Sequence, residues 1–568
     1  MLGKIKKHQL FVFLIFVLAI VLRFWQLGLY PDAIDEDEMA FGYYGWSLSN
    51  FGTDEYGHRF PIYFESVGDN KYGLYSYFAA VPIRIFGLNN VSTRSVSAIA
   101  GALSVILLYL TVKKLTNNLN LSLISAFVLA VNPIHIHFSR VAYNNNLGAL
   151  LAMTAIYFFI SYLKDGKNTS LLFSFIFSFL SFFTYQTYRI FLPLSLFLLF
   201  VVYSKKLKIK KTATLFLLLV FLGVFASFIS PKSRTRSQDV DILINRPKLI
   251  EQYTEDGLSG VNLVATRLLH NKYVSIGYGF YNRYLSYFDP VFLFSSVSAT
   301  TERHSIPDTG VFYFFEFIFL IAGFIALKNV YGKYYLLPIV LLVASPVAAS
   351  MVVEPRSITR TLVLVWGVTM VVSCGVYILL KGRRILYSLF LLIYSVGLFY
   401  FLHQYFIHKP LHQPWQSDGG HHEMVNSVDV LKSDYKYVVV SRGHYMPFIY
   451  YDHISPPQLQ KRATFLTSKP EVGTRIASID NIIFNMPYEC PTAGKQNVLY
   501  VCFGYKVPKN SRVIKVISFR DSQPAITLVE FGKGEAQLPE RLQYMDSDAR
   551  FEKGILPDGY PNFWPVNE

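Results

Sequence analysis

Cysteine is nearly absent from this chain, with 3 in 568 residues. That excludes a disulfide framework and a structural zinc site built on thiolates. Charge is scarce too: Asp, Glu, Lys and Arg together make up only 16%. A Walker A loop, a Gly-x-Ser-x-Gly elbow and His/Cys clusters at zinc spacing are all missing, which removes P-loop and serine-hydrolase chemistry. His421-His422 are adjacent, and neighbours on one chain rarely chelate together, so a surface loop is the reading there. There is no internal repeat and no low-complexity linker.

Apolar residues are what the chain has in excess. Hydrophobic residues reach 52% and aromatic ones 17%, and the mean hydropathy is +0.33. A membrane span needs roughly 17 to 25 mostly apolar residues, and about eleven such blocks can be read. They lie near 8–24, 94–112, 119–138, 146–163, 169–184, 189–204, 212–230, 310–327, 333–352, 360–380 and 384–402. If the N-terminus is cytoplasmic, the inner segments carry lysine and arginine (Lys4, Lys6, Lys7, Lys113, Lys114, then Lys205 to Lys211), with Asp165 as their one acid. This is the positive-inside partition, and an error of one span would scramble it. It accounts for most of the +16 net charge and argues against a nucleic-acid partner, which would need those cations on one folded surface. The first apolar stretch lacks a small-residue cleavage site and runs into Arg23-Phe24-Trp25, so it reads as an uncleaved helix.

The fold class expected is therefore an α-helical polytopic membrane protein. Residues 1–403 form the membrane-embedded part, with outer loops at 25–93 and 231–309, and 404–568 form a soluble extracytoplasmic α/β domain. Strands are expected at Tyr437 to Ser441, Asn497 to Cys502, Arg512 to Phe519 and Ala525 to Phe531. Cys374 falls inside a span, whereas Cys490 and Cys502 fall outside the membrane, where a bridge is chemically allowed; their pairing stays open.

Within the first outer loop four acids are consecutive, Asp35-Glu36-Asp37-Glu38. Carboxylates beside a bilayer are costly unless they face water, a cation or a reacting group. A helix is expected from Met39 to Leu48, and a second, interfacial one from Leu74 to Phe86, interrupted at Pro82. Around these run Tyr30-Pro31, Asp37-Glu38-Met39-Ala40, Gly42-Tyr43, Gly52-Thr53-Asp54-Glu55-Tyr56-Gly57, Gly68-Asp69-Asn70-Lys71-Tyr72-Gly73 and Arg94-Ser95-Val96-Ser97-Ala98. In these motifs the chain resembles the polyprenyl-phosphate-sugar-dependent glycosyltransferases of the GT-C fold, of the bacterial protein O-mannosyltransferase and lipid A aminoarabinose transferase group.

The resemblance covers roughly residues 20–400 and implies a division of labour. Sugar transfer from a lipid phosphate needs a base for the acceptor hydroxyl and positive charge for the departing phosphate. Asp37-Glu38 match the family's acidic pair, whose Asp is regarded as the base, although Asp35 and Glu36 offer a second register. Lys71 matches a lysine near the lipid phosphate, with Asp69 two residues before it. Arg140 and Asn145 match a further region, in which the family often carries an acid where this chain has Asn145; metal binding, and with it a divalent cation, stays open. Asp289-Pro290, Arg303-His304 and Gly310 resemble the approach to the eighth span. Ser345-Pro346, Arg356 and Arg360 resemble the link between the ninth and tenth, where an arginine fork would grip phosphate. Glu316 is expected within the eighth span, facing the protein interior.

Together these imply a multi-pass enzyme of the cytoplasmic membrane passing sugar from a polyprenyl-phosphate donor to a protein, glycolipid or wall polymer. The rival class is a multi-pass transporter or lipid flippase. Acids clustered in outer loops rather than at mid-membrane, and the lack of an inverted repeat, count against it.

Overall fold

The computed structural model describes residues 2–66, 69–203, 218, 222–223, 246–297, 304–352, 356–412, 414, 419–441, 445–467, 474–486, 490, 494–504, 506–508, 511–532 and 543–544. The chain enters as α1 (Leu2–Phe24) and then builds the first outer segment from α2 (Glu36–Phe51), the hairpin β1 (Tyr63–Ser66) and β2 (Asp69–Tyr72), and α3 (Leu74–Phe86). Next come α4 (Asn90–Thr116), α5 (Leu119–Ala130), α6 (Pro133–Ser139), α7 (Asn144–Asp165), α8 (Asn168–Phe182) and α9 (Tyr188–Tyr203). The second outer segment holds α10 (Arg246–Leu258), α11 (Leu263–Leu269), α12 (Lys272–Ser286) and α13 (Pro290–Phe294). Four apolar helices follow: α14 (Glu316–Tyr331), α15 (Leu336–Ser350), α16 (Leu364–Leu380) and α17 (Arg384–His403).

Ten of the eleven expected blocks coincide with helices, while 212–230 lies almost wholly outside the described residues. By length and composition five helices among the described residues can cross a membrane, or six if a bent pair counts as one span. That pair is α5 and α6, which meet at 61°. Asn132-Pro133 makes the break: Asn132 caps the new helix by accepting the His135 N–H at 2.9 Å, and Pro133 supplies its first position. Arg23, fully buried, holds the bend by donating to Ala130 O (3.1 Å) and to His135 Nδ1 (2.7 Å).

Packing divides the chain into two units. One comprises Met1–Trp25 and Ser97–Tyr405, the other Gln26–Val96 and Phe406–Glu568. In the first, α14 and α16 approach so closely that a Cβ on Gly323 would lie 1.9 Å from Val371 O, and one on Gly375 equally near Phe319 O. Only glycine permits backbones that near, the usual device where lipid supplies no hydrophobic drive. Glu316 is the first residue of α14 rather than a mid-span acid. It is buried and accepts from the Tyr313 N–H (2.8 Å) and Tyr394 O–H (2.7 Å), tying the turn before α14 to α17.

In the second unit, the residues after 405 form α18 (His421–Leu431), α19 (Met446–Tyr451), α20 (Pro456–Arg462) and a seven-stranded mixed sheet. Its order is β4 (Ala463–Thr467), β5 (Thr474–Ile479), β6 (Ile482–Met486), β3 (Tyr437–Ser441), β7 (Val498–Phe503), β9 (Pro524–Phe531) and β8 (Ser511–Ser518). Central β3 runs parallel to β6 and β7 and is the least alternating of sequences, Tyr-Val-Val-Val-Ser, as a strand covered on both faces requires. All four expected strands are present, and Cys490 and Cys502 are joined by a disulfide. The first outer segment packs with this region rather than standing apart, α2 lying against α3 and α19. Helix α3 is continuous through Pro82, contrary to the expected interruption. A proline removes one ladder bond, and burial of Tyr75, Ala79 and Ile83 holds the helix together.

Candidate functional site

The acidic run begins α2, where carboxylates oppose the positive end of the helix dipole. Its members have separate tasks. Asp35 is the N-cap, accepting the Glu38 N–H at 2.9 Å and completing a capping box with it. Glu38 is buried and held by a two-pronged ion pair: Arg94 Nε to Oε1 at 2.9 Å and Nη2 to Oε2 at 2.8 Å. The remaining Arg94 donors reach Leu27 O (3.1 Å), Pro31 O (3.0 Å) and Ala33 O (2.6 Å), tying down the chain that leads into α2. Glu38 was grouped with Asp37 in the sequence reading; the structure gives it a bracing role instead. The sequence signal for Arg94 is a lone cation at the start of an apolar helix.

Asp37 faces the other way. Its side chain is 37% exposed and forms an ion pair with Lys71, itself only 9% exposed. These residues meet because of the hairpin. Lys71 is the cross-strand partner of Phe64, so both side chains share one face. Phe64 is buried and stacks on Tyr44 of α2 with ring centroids 4.2 Å apart. The aromatic contact sets the hairpin on α2, and Lys71 follows it to Asp37. Asp69 lies on the same strand.

The C-terminal region grips α2 from behind. Tyr43 Oη donates to Ile454 O at 2.9 Å, and Thr93 Oγ1 and Tyr450 Oη lie 3.2 Å apart. A Cβ on Gly42 would sit 2.5 Å from Thr93 Oγ1 and 2.8 Å from the Tyr450 ring, so α2 needs glycine there. Glu55 is fully buried and receives the hydroxyls of Tyr44 (2.7 Å) and Tyr445 (3.1 Å) on one oxygen. Loss of water raises its pKa to about 8, the tyrosine hydroxyls oppose that rise and the Asp54 charge adds to it.

A native state that holds this proton more tightly than the unfolded chain loses stability as pH climbs from the ordinary glutamate range through about 8. Thermal unfolding followed against pH should therefore fall across that window in the wild type. Glu55→Gln, which cannot ionise, should flatten the fall. Equal slopes for the two proteins would rule Glu55 out as its source.

The other candidates belong to the first unit. Arg356 Nη1 pairs with Asp289 Oδ2 at 2.7 Å and lies over the Phe292 ring at 5.3 Å. Arg360 closes a short 3-10 turn, Ile358–Arg360. Asn145, buried at the start of α7, donates its amide to Thr359 O at 3.1 Å. A carboxylate there would set negative oxygen against that carbonyl, which gives asparagine a physical reason. Arg140 is fully buried and donates to Leu22 O (3.1 Å) and Trp25 O (2.7 Å), capping the carbonyl end of α1 rather than standing open to a ligand. His304 packs edge-on against Tyr143 at 5.2 Å, and Arg303 lies outside the described residues. Among the described residues no group of three His, Cys, Asp or Glu is placed to hold a metal.

Comparison with known proteins adds the following. A family model described as dolichyl-phosphate-mannose-protein mannosyltransferase matches residues 73–230. No curated protein matches the chain in sequence. The fold is similar to that of ArnT from Cupriavidus metallidurans in the apo state, with TM-score 0.51 and 9% identity over 93% of this chain and 98% of that one. ArnT bound to undecaprenyl phosphate aligns equally, at TM-score 0.51 and 8% identity with the same coverage. The oligosaccharyltransferase AglB from Archaeoglobus fulgidus, in complex with an inhibitory peptide and a dolichol-phosphate, aligns at TM-score 0.44 and 12% identity over 79% of this chain. The present chain spans 64% of the length of AglB. The resemblance read from the first outer loop is thus borne out, and the chain is a multi-pass membrane protein of GT-C fold with a C-terminal α/β region.

Proposed function

We propose that this protein transfers a sugar from a polyprenyl-phosphate donor to an acceptor at the outer face of the cytoplasmic membrane. The observation that carries the reading is the Asp37–Lys71 pair: one partly exposed carboxylate and one buried ammonium, beside a neighbouring acid already spent on structure. The acceptor hydroxyl attacks the anomeric carbon in line with the bond to phosphate. Its proton passes to Asp37, the glycosidic C–O bond breaks, and the electron pair leaves with the polyprenyl phosphate, inverting the carbon. Lys71 stabilises that growing negative charge. With no donor bound, Lys71 neutralises Asp37; phosphate competes for the lysine and frees the base. Support comes from a fold shared with ArnT, which has been observed with undecaprenyl phosphate. The disulfide fits a C-terminal region outside the cytoplasm.

A divalent cation has no part in this scheme. Asn145, standing where the resemblance places an acid, spends its amide on Thr359 O, so no step is routed through a metal. Arg356 and Arg360 keep the donor-phosphate role implied by the resemblance as a proposal of their own, tested by weaker donor affinity in Arg356→Met and Arg360→Met.

The direct test incubates membranes containing the protein with radiolabelled polyprenyl-phosphate sugars and follows label into protein, glycolipid and polymer fractions. Transfer above that of membranes lacking the protein supports the reading, and none in any fraction removes it. Lys71→Met keeps most of the stem but loses the charge-assisted contact, contributing about 1.5–3 kcal/mol, or roughly tenfold to hundredfold. The loss should divide between donor affinity and transfer rate, and Lys71→Arg should recover part of it. Unchanged rate and affinity in Lys71→Met would make the lysine a structural partner of Asp37 alone.

A further inference from the structure

The second outer segment carries an apolar surface that neither the fold nor the proposed chemistry uses. On α12, Val274, Tyr278, Tyr281 and Leu285 recur at helical spacing and form one stripe, and each is 45% exposed or more. No residue of this helix is buried. On the preceding α11, Val264 and Leu268 are exposed in the same way, while Thr266 alone is buried. Soluble proteins seldom present so continuous an apolar face to water.

We infer that α11 and α12 lie in the headgroup zone of the bilayer, with the apolar stripe against lipid and Arg267 and Lys272 against anionic headgroups. Two further observations point to lipid as the occupant. First, α12 is fastened on its opposite side to α15, one of the apolar membrane helices: Arg283 Nε donates to Ser350 O at 2.8 Å and Tyr284 Oη to Val343 O at 3.0 Å. Val343 is itself exposed on an apolar helix, so the stripe continues a surface that faces lipid. Second, residues 257–288 contain Arg267, Lys272 and Arg283 and no acid. An apolar stripe carrying tyrosines, with the cations on the opposite face of the helix, is the composition of a helix lying in the membrane interface. This inference rests on the membrane fold and stands apart from the transferase chemistry.

The test uses the full chain in nanodiscs, in a Cys374→Ala background. Nitroxide labels are placed through Val274→Cys, Tyr278→Cys and Tyr281→Cys, with Glu255→Cys on α10 as the aqueous reference. Collision with oxygen should dominate over collision with a water-soluble nickel chelate at the three stripe positions, and the order should reverse at 255. In discs of mixed lipid, Arg267→Gln and Lys272→Gln should each reduce enrichment of anionic lipid around the protein by roughly fivefold. Stripe labels as open to nickel as the reference overturn the proposal.

Discussion

Asp37→Asn should lower sugar transfer by roughly two to four orders of magnitude, the usual contribution of a positioned general base. The substitution keeps size and shape, and Asp37 is partly exposed, so folding should survive. Donor affinity should hold or rise, since Lys71 no longer shares its charge with a carboxylate. The measurement is initial-rate transfer at saturating donor, with donor affinity read separately on the same preparation. Near-wild-type turnover would take Asp37 out of the mechanism.

Arg94→Met should be the most damaging change to the fold around the site. It would leave Glu38 buried without its counter-charge, and breaking a buried pair this way costs about 3–5 kcal/mol. It would also release three backbone carbonyls of the chain leading into α2. A lower unfolding midpoint and loss of transfer should therefore appear together. The double variant Arg94→Met with Glu38→Gln removes both charges and should recover part of the stability lost, since no uncompensated ion remains. A double variant as unstable as the sum of the single ones would show that the carbonyl contacts, not the ion pair, carry the effect.

Most of the secondary structure was legible because membrane helices and buried strands leave strong periodic signals. The break inside the third block was not. Its sequence is mostly apolar, and the bend follows from Asn132-Pro133 within it together with a buried Arg23 that lies over a hundred residues away in the chain. Pro82 shows the opposite error: a local breaker was overridden by packing on α2. Glu316 was read as an acid deep in a span because the apolar block extends past it, yet the helix begins at that residue.

The sequence by itself determined that this protein spans a membrane many times and carries four consecutive acids shortly after its first apolar helix. It also pointed to a chemistry of lipid-phosphate sugars, through residue types that such chemistry requires. Apolar length and charge partition are local quantities, so no tertiary information is needed to read them. Four adjacent carboxylates are chemically equivalent in a string of letters, and only the folded chain distinguishes them. Helix geometry points successive side chains 100° apart, sending Glu38 inward to Arg94 and Asp37 outward to Lys71. That choice depends on a hairpin set by one aromatic stack and on an arginine 56 residues away. Contacts at such separations leave no periodic trace, so tertiary structure alone decided which acid pairs with Arg94 and which with Lys71.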